Sequence, residues 1–323
     1  MSNREKILWT IFAGVLVLLY LLSSTDLIIK EEEKEIHTIS VIIPDANDEY
    51  YVNFRKGMDN AAEKLHADVN FITLYEANDM DEQMELFQRE LKDGADAIII
   101  EPVNEDELLL RMTDMNVTCP VVLLGESMDD SAVRAAVHVD KKAAGVMLAE
   151  QMVTQAETDL PVMVFTEGTG FSGNQDVYEG IKQVLDKQGF QYQLVEREHE
   201  DSLAQALESM AASHSGKVAI LALDTASLDE AADLAEGKPE YQNCIGGIYG
   251  VDSTIGILRK MDRDIINGIV VHNQYDEGYI SVHFAIEAIQ DPTYTNKVDL
   301  ESYDINKEVL RDPQYEKLLY PIE

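Results

Sequence analysis

The sequence predicts an α/β protein with two doubly wound parallel-sheet lobes, preceded by one N-terminal transmembrane helix. Three observations support this fold class. Short apolar runs alternate with amphipathic stretches along most of the chain, and this pattern recurs once about 120 residues further on. An uncharged segment lies near the N-terminus, ahead of the first of these runs.

The N-terminal segment over residues 7–25 contains no charged side chain. A segment of this length can cross a bilayer as a helix, with its backbone hydrogen bonds satisfied internally. Basic residues precede it and acidic residues follow it, so the positive-inside rule places residues 1–6 in the cytoplasm and the binding domain outside. A cleaved signal peptide is the alternative, but LLSSTD lacks a small-residue cleavage site. We therefore expect a single-pass membrane protein with an anchor at 7–25 and a linker at 26–37.

The apolar runs after this linker have the length and composition of buried strands. They are ISVII (39–43), VNFITL (69–74), AIII (97–100), VVLL (121–124), VMVF (162–165), YQLV (192–195), VAILAL (218–223), CIGGI (244–248) and IVV (269–271). Between nearly all of them lies a stretch with apolar residues at three- and four-residue spacing, which indicates helices. Strands that alternate with helices in this way predict parallel βαβ units.

The pattern also repeats internally. ISVII, a polar loop and FRKGMDNAAEKL correspond to VMVF, a polar loop and VYEGIKQVLDKQ, with Gly57 and Gly180 at equivalent points of the two helices. Two similar lobes explain this repeat better than one large sheet. Because ligands of such sheets meet the loops at the carboxyl ends of the strands, two facing lobes predict a cleft between them.

Five segments carry a resemblance to a known family. They are ISVIIPDANDEYYVNFRKGMDNAAEKL, DGADAIIIEPVNEDEL, CPVVLLGES, VHVDKKAAGVMLAEQM and GIVVHNQYDEGYISV. In their order and spacing they resemble the ribose-binding branch of the periplasmic sugar-binding proteins, which share their fold with the effector domains of lactose-repressor-type regulators. The resemblance extends over about residues 38–305.

The resemblance implies a type I periplasmic binding fold whose lobes close around a small neutral polar solute such as a sugar. It implies a hinge of three crossings, near Val139–Asp140, His272–Asn273 and Asp304–Ile305. The lobes would then consist of residues 38–139 with 273–304, and of residues 140–272 with 305–323. The closed form would be presented to a membrane partner, either an ABC permease or a sensor histidine kinase. No cofactor and no metal are expected.

The resemblance also implies which residues bind the solute. The positions carried over are Asn47, Asp48, Tyr50, Tyr51, Asp224, Asp252 and His272, the last of which falls where the family usually has Gln. Aromatic faces suit the C–H side of a sugar ring, and carboxylates and amides accept its hydroxyl protons.

Two departures from the family remove guanidinium groups. Gly125–Glu126 stands where the family commonly has an Asp-Arg pair, and Gln175 stands where it has Arg. We therefore add Glu126, Gln175 and the neighbouring Phe171 to the expected ligand-binding residues. Arginine supplies fixed forked donors, so its loss predicts a neutral or cationic solute rather than a phosphorylated or carboxylated one.

The segment from Gly168 to Gly173 also fits a G-x-G-x-x-G pattern between a strand and a helix, as a dinucleotide-binding loop would. The acidic residue that such a site requires would be Glu196, which comes somewhat late, and we favour a loop that contributes Phe171 and Gln175 to the cleft. Carboxylates from separate loops could suggest a calcium site, but they lack the spacing of a calcium-binding loop.

Composition excludes some functions. The formal net charge of -36 argues against nucleic acid, since phosphate contacts need clustered lysine and arginine. The sequence contains no G-x-S-x-G, P-loop or H-E-x-x-H motif, so catalysis has no support from motifs. We expect a binding protein rather than an enzyme, and the competing hypothesis is an extracytoplasmic enzyme that acts on a sugar or nucleotide.

Overall fold

The computed structural model describes residues 2–24, 36–46, 49–156, 159–171, 173–213, 216–237 and 239–321. The chain forms two compact units, Met1–Ile36 and His37–Glu323. The first unit contains one helix, and the second contains both sheets.

The N-terminal helix, α1 (Asn3–Ser24), corrects the prediction of a transmembrane anchor. Among the described residues, no helix is both long enough and apolar enough to cross a membrane. Arg4, Glu5 and Lys6 lie in the first turns of α1, and its uncharged part extends about 27 Å at 1.5 Å per residue, against a hydrocarbon core of about 30 Å. The transmembrane helix predicted at 7–25, and the single-pass location built on it, are therefore contradicted. Most of the predicted linker lies outside the described residues.

Each lobe is built on a six-stranded sheet. The first sheet has the order β11 (Asn296–Leu300), β5 (Val133–Val139), β4 (Val121–Leu124), β3 (Ala97–Ile100), β1 (His37–Ile42) and β2 (Ala67–Ile72), all parallel. The second sheet has the order β12 (Ser302–Asn306), β10 (Gly268–His272), β9 (Ile245–Val251), β8 (Val218–Ala222), β6 (Val162–Thr166) and β7 (Tyr192–Glu196). Only β12 in this second sheet runs antiparallel to its neighbour. The predicted pair of parallel-sheet lobes is thus confirmed.

Helices cover both faces of each sheet. Those of the first lobe are α2 (Val52–Leu65), α3 (Met80–Asp93), α4 (Glu105–Thr113) and α11 (Gln274–Gln290). Those of the second lobe are α5 (Lys141–Val153), α6 (Asn174–Gln188), α7 (Ser202–Ser213), α8 (Thr225–Gly237), α9 (Pro239–Cys244), α10 (Ile255–Asp262) and α12 (Pro313–Leu319). A separate apolar cluster lies on each face of each sheet. Strands buried on both faces must be apolar throughout, which explains runs such as AIII in β3.

The chain passes between the sheets three times, after Val139, after His272 and between Leu300 and Ser302. Asp140 and Asn273 directly follow the first two crossings, and each caps the helix that begins there. The third crossing comes a few residues before the predicted Asp304–Ile305. The predicted position came from the resemblance, whereas the crossing lies in the connection between β11 and β12, two edge strands of mixed polarity.

One helix pair in each lobe packs at very short range. In the first lobe, a Cβ atom on Gly57 would overlap the carbonyl oxygen of Tyr275, and one on Gly278 would overlap that of Phe54. The α2 and α11 backbones are therefore in direct contact, and only glycine permits this approach.

The second lobe contains the same arrangement. A Cβ atom on Gly145 would overlap the carbonyl oxygen of Val177, and one on Gly180 would overlap that of Lys142. In both lobes each glycine faces the carbonyl group three residues before the partner glycine. The sequence equivalence of Gly57 and Gly180 thus corresponds to an equivalent packing role.

Candidate functional site

The carboxyl ends of the strands in both sheets line two adjoining cavities between the lobes, of about 320 and 530 Å³. The residues common to both cavities are Tyr50, Glu101, Lys141, Phe171 and Gly173. The first two belong to the first lobe and the others to the second. The cavities therefore form one cleft to which both lobes contribute.

Two aromatic side chains form the wall of the cleft at the start of α2. The rings of Tyr50 and Tyr51 pack edge to face with their centroids 4.8 Å apart. Tyr51 is almost fully buried, and its hydroxyl donates a 2.7 Å hydrogen bond to Glu101 Oε2. Tyr50 is half-buried and lines both cavities. Tyr50 thus lines both cavities, while Tyr51 lines the first alone and holds the Glu101 carboxylate through its hydroxyl.

A cluster of charged groups forms the floor of the cleft near the hinge. His272 Nδ1 lies 3.0 Å from Asp252 Oδ1 in the second lobe, and His272 Nε2 lies 3.0 Å from Glu277 Oε2 on α11 of the first. Lys141 Nζ lies 3.6 Å from Asp252 Oδ2. Asp252 holds its position with a left-handed backbone at φ 64°, at the end of β9. His272 therefore joins carboxylates from both lobes at the second crossing.

The pKa values within the cluster follow from burial and from neighbouring charges. Burial by itself lowers the pKa of His272, but the carboxylates of Glu277 and Asp252 outweigh it and raise the pKa to about 9. Burial raises the pKa of Asp252, but Lys141 and His272 outweigh it and hold the pKa well below its usual range. His272 is therefore a cation at neutral pH, paired with two carboxylates.

Glu101 behaves differently from the other acids of the floor. Burial and the nearby Glu277 carboxylate raise its pKa to about 7, and the attraction of Lys141 only partly offsets them. Glu101 therefore holds its negative charge weakly at neutral pH. It lies directly after β3, where the carboxyl end of the strand reaches the cleft.

Asp224 is held by its own lobe. It accepts hydrogen bonds from Thr166 Oγ1 at 2.8 Å, from the Glu167 amide at 3.0 Å and from the Ser227 amide at 2.8 Å. Asn174 Nδ2 approaches the same carboxylate at 3.4 Å. Asp224 lines the first cavity and at the same time fixes the loop that follows β6.

That loop places Phe171 in both cavities and Gln175 in the second. Gln175 is exposed and donates to Glu179 Oε1 at 3.1 Å. The carbonyl oxygen of Gly170 accepts a 3.1 Å hydrogen bond from Asn104 of the first lobe, so the loop contacts both sides of the cleft.

Glu196 bonds to the loop that a dinucleotide would occupy. Its Oε1 accepts from the Thr169 amide at 2.9 Å and from the Thr169 hydroxyl at 2.6 Å. The carboxylate that the dinucleotide hypothesis reserves for a ribose is thus engaged by the protein.

The departure at Gly125–Glu126 has a structural explanation. The carboxylate of Glu105 accepts hydrogen bonds from the Glu126 amide at 3.0 Å and the Ser127 amide at 2.7 Å. A Cβ atom on residue 125 would overlap this carboxylate, so a larger residue there would displace the Glu105 side chain. The Glu126 side chain is exposed at the edge of the second cavity, 3.8 Å from Lys297 Nζ.

The structure brings most of the predicted residues to the cleft. Asn47 and Asp48 lie outside the described residues. Sequence reasoning missed three residues of the cleft floor: Glu101, Lys141 and Glu277. Glu101 directly follows a predicted strand, and this position was an available signal. Lys141 lines both cavities and supplies a positive charge that the loss of the two guanidinium groups did not lead us to expect.

Comparisons with known proteins agree with this architecture. Residues 39–293 match the family described as periplasmic binding protein domain. Catabolite control protein A of Staphylococcus aureus is 26% identical over 160 residues, an alignment that covers 49% of this chain and 46% of that protein. The chain thus spans about half the length of the curated relatives it matches.

Several solved structures share the fold at sequence identities that support no more than the fold. GanP, a glucose-galactose binding protein from Geobacillus stearothermophilus, is 20% identical with a TM-score of 0.71, over 86% of this chain and 100% of GanP. An ABC transporter solute-binding protein from Agrobacterium vitis, bound with α-D-tagatopyranose, is 16% identical with a TM-score of 0.77, over 88% and 99%. A chain of the XylFII–LytSN complex is 19% identical with a TM-score of 0.70, over 85% and 99%.

Proposed function

The chain belongs to the periplasmic binding protein family, and on that premise we propose that it binds a small polyhydroxylated solute, a carbohydrate, between its two lobes. One observation carries the proposal. The two cavities share residues from both lobes, Tyr50 and Glu101 on one side and Lys141 and Phe171 on the other. A solute held there contacts both lobes at once. It binds the closed arrangement of the lobes more tightly than the open one and therefore favours closure.

The chemistry of the lining suits a sugar. Tyr50 and Phe171 offer aromatic faces to the C–H side of a ring, while Glu101, Asp224 and Asp252 accept hydroxyl protons. The combined volume is of the size that small-molecule sites have in proteins. Structures of similar fold include a glucose-galactose binding protein and one bound with α-D-tagatopyranose, which supports the same class of solute.

We further propose that the solute-bound form is recognised by a second protein, either an ABC permease or a sensor histidine kinase. Similarity of fold to an ABC transporter solute-binding protein favours the first, and similarity to a chain found in complex with LytSN favours a partner outside transport. The two lobes that would close on the solute are residues 38–139 with 273–300 and residues 140–272 with 302–323, divided at the β11–β12 connection.

Calorimetry on the full chain with a panel of pentoses, hexoses and polyols tests the proposal. We expect one or more to bind, and small-angle scattering to show a smaller radius of gyration at saturation. Replacing Phe171 by Ala removes one aromatic face and should weaken binding by about tenfold, roughly 1.4 kcal/mol.

Tyr75→Ala is the matched control. Tyr75 is an aromatic side chain that is 87% exposed and lines neither cavity, so its removal should leave affinity unchanged. If no sugar binds, or if Phe171→Ala binds as the wild type does, the cleft is not a carbohydrate site of this kind.

A further inference from the structure

The cleft is far more acidic than basic. Among the described residues lining the first cavity, the one side chain that forms a cation is Lys141. The acidic side chains lining it are Asp45, Glu101, Glu167, Asp224 and Asp252. A cleft with one sign of charge and protein walls concentrates ligands of the opposite sign.

Most of these acids already have partners within the protein. Asp252 pairs with Lys141 and His272, and Asp224 accepts hydrogen bonds from its own loop. Glu167 pairs with Arg197, whose Nη1 lies 2.5 Å from its carboxylate. Asp252 and Glu167 therefore have cationic partners, and Asp224 accepts several hydrogen bonds within its own lobe before any solute arrives.

Glu101 is the exception. The one hydrogen bond that its side chain makes with described residues comes from the neutral Tyr51 hydroxyl. The nearest cation, Lys141, lies closer to Asp252, and the carboxylates of Glu277 and Asp252 repel the Glu101 charge. A half-buried carboxylate in this position gains more from an added cation than from a neutral hydroxyl group.

Aromatic rings line the same cavities as Glu101. Tyr50 and Phe171 line both cavities, as Glu101 does. An ammonium group is attracted to the face of an aromatic ring, and this attraction grows when water is excluded. Carboxylate and aromatic groups together favour an amine over an uncharged group of the same shape.

We propose that the solute carries a protonated amino group, as an amino sugar does, and that this group binds at Glu101 beside the rings of Tyr50 and Phe171. The inference rests on the proposed function and names the chemistry of the solute within it. Glu101 is the residue that selects for the charge, and the remaining carboxylates of the cleft accept the hydroxyl protons.

Matched pairs of ligands test the inference at about pH 7, where sugar amines are largely protonated. Calorimetry on the full chain compares D-glucosamine with D-glucose and D-galactosamine with D-galactose, and the N-acetyl derivatives remove the charge without any change to the protein. We expect the amine of at least one pair to bind at least tenfold more tightly than its neutral partner, and N-acetylation to abolish that gain.

Glu101→Gln should remove this preference, weakening the amine at least about tenfold more than it weakens the neutral sugar, because the amide still accepts a hydroxyl proton but no longer attracts an ammonium group. Glu105→Gln is the control, because Glu105 lines the second cavity but its oxygens bind backbone amides. That variant should keep the preference. If Glu101→Gln fails to fold, the N-acetyl comparison and Glu101→Asp still test the inference. Glu101→Asp shortens the side chain by one methylene and so withdraws the carboxylate from the amino group.

The outcomes separate the two proposals. Neutral sugars that bind as tightly as their amines overturn the inference and leave the proposed function intact. A preference for amines that survives Glu101→Gln also overturns it, because the amine then binds elsewhere. If neither member of any pair binds, the inference is overturned, and if no pentose, hexose or polyol of the panel binds either, the proposed function fails with it.

Discussion

The two lobes share a scaffold and differ in the chemistry that they present to the cleft. In each, two glycines let the helix after the first strand contact the helix that enters from the hinge: Gly57 with Gly278, and Gly145 with Gly180. The backbone geometry of the pair is the same in both lobes. The internal repeat visible in the sequence is therefore a repeat of packing.

The residues at the ends of the strands do not follow this repeat. The first lobe presents Tyr50 and the weakly ionised Glu101, whereas the second presents Asp224 and Asp252, whose charges are already paired or hydrogen-bonded. The difference teaches that helix packing and ligand chemistry are independent in this fold. Loops at the strand ends can change while the glycine contacts below them stay fixed.

The largest effect should come from breaking the shared contact. Gly57→Ala and Gly180→Ala each place a methyl group on a backbone carbonyl oxygen, and each should lower the free energy of unfolding by about 3 kcal/mol. Denaturant titration of each variant measures this. Similar losses in the two lobes would show that both glycine contacts stabilise the protein to the same extent, and a loss in one lobe alone would show that they do not.

Gly237→Ala is the matched control for these substitutions. Gly237 ends α8, and no heavy atom lies within 4 Å of the position that its Cβ would take. Alanine there should leave stability unchanged or raise it by about 0.5 kcal/mol, since it reduces the entropy of the unfolded chain.

A second effect concerns the hinge, where the lobes meet at His272. Its pKa is raised from 6.5 to about 9 in the folded protein, so its contribution to stability is complete below about pH 6.5 and is lost as the pH rises towards 9. The loss should be on the order of 2 kcal/mol. Thermal unfolding from pH 6 to pH 9.5 should show a falling midpoint, and His272→Gln should flatten this part of the profile.

Other groups around His272 titrate outside this window or in its lower part. Asp252 has a depressed pKa, so its contribution is lost only as the pH falls below its usual range. Glu101, with a pKa raised to about 7, loses its contribution between about pH 4.5 and 7. His283→Gln is the control, because His283 is half-exposed on α11, and its profile should match the wild type. A midpoint that is flat from pH 7 to 9 in the wild type would contradict the assigned charge of His272.

The smallest expected effect on stability concerns a contact between α2 of the first lobe and the C-terminal segment. Among the described residues, the equivalent helix of the second lobe, α6, makes no such contact at the corresponding position. Leu318 and Leu319 of α12 are buried in the core of the second lobe, and the segment that follows reaches α2 of the first. Asn53 Nδ2 donates to the Leu319 carbonyl oxygen at 3.3 Å, and Lys56 Nζ donates to that of Pro321 at 2.9 Å. The C-terminal segment thus links the lobes.

Lys56→Met should reduce the free energy of unfolding by about 1 kcal/mol, since it removes a hydrogen bond from a charged donor. Glu179 holds the equivalent place in the second lobe, one residue before Gly180, and bonds only to Gln175 on its own helix among the described residues. Glu179→Met should therefore change stability by less than about 0.5 kcal/mol. Equal changes in the free energy of unfolding for Lys56→Met and Glu179→Met would show that the C-terminal link does not stabilise the protein.

Local patterns in the sequence were sufficient to predict the scaffold of the two lobes. Every apolar run that was predicted as a strand overlaps a strand of the structure, and the central strands are apolar because both of their faces are covered. The polar and mixed strands β11 and β12 were missed. β5 was also not predicted as a strand, although its last residues lie in the segment VHVDKKAAGVMLAEQM. Unlike the edge strands β2 and β7, β11 and β12 carry too little apolar periodicity to be detected in this way.

What the sequence by itself determined is the pair of parallel-sheet lobes, their family, and the placement of Tyr50, Asp224, Asp252 and His272 at strand ends that face a cleft. What only the tertiary structure decided is which of these groups meet. His272 contacts Glu277, and Glu101 and Lys141 join the same cleft floor from segments far apart in the chain. Hydrophobic periodicity is a local property, whereas the charge state of a buried group depends on every neighbour that the fold brings to it.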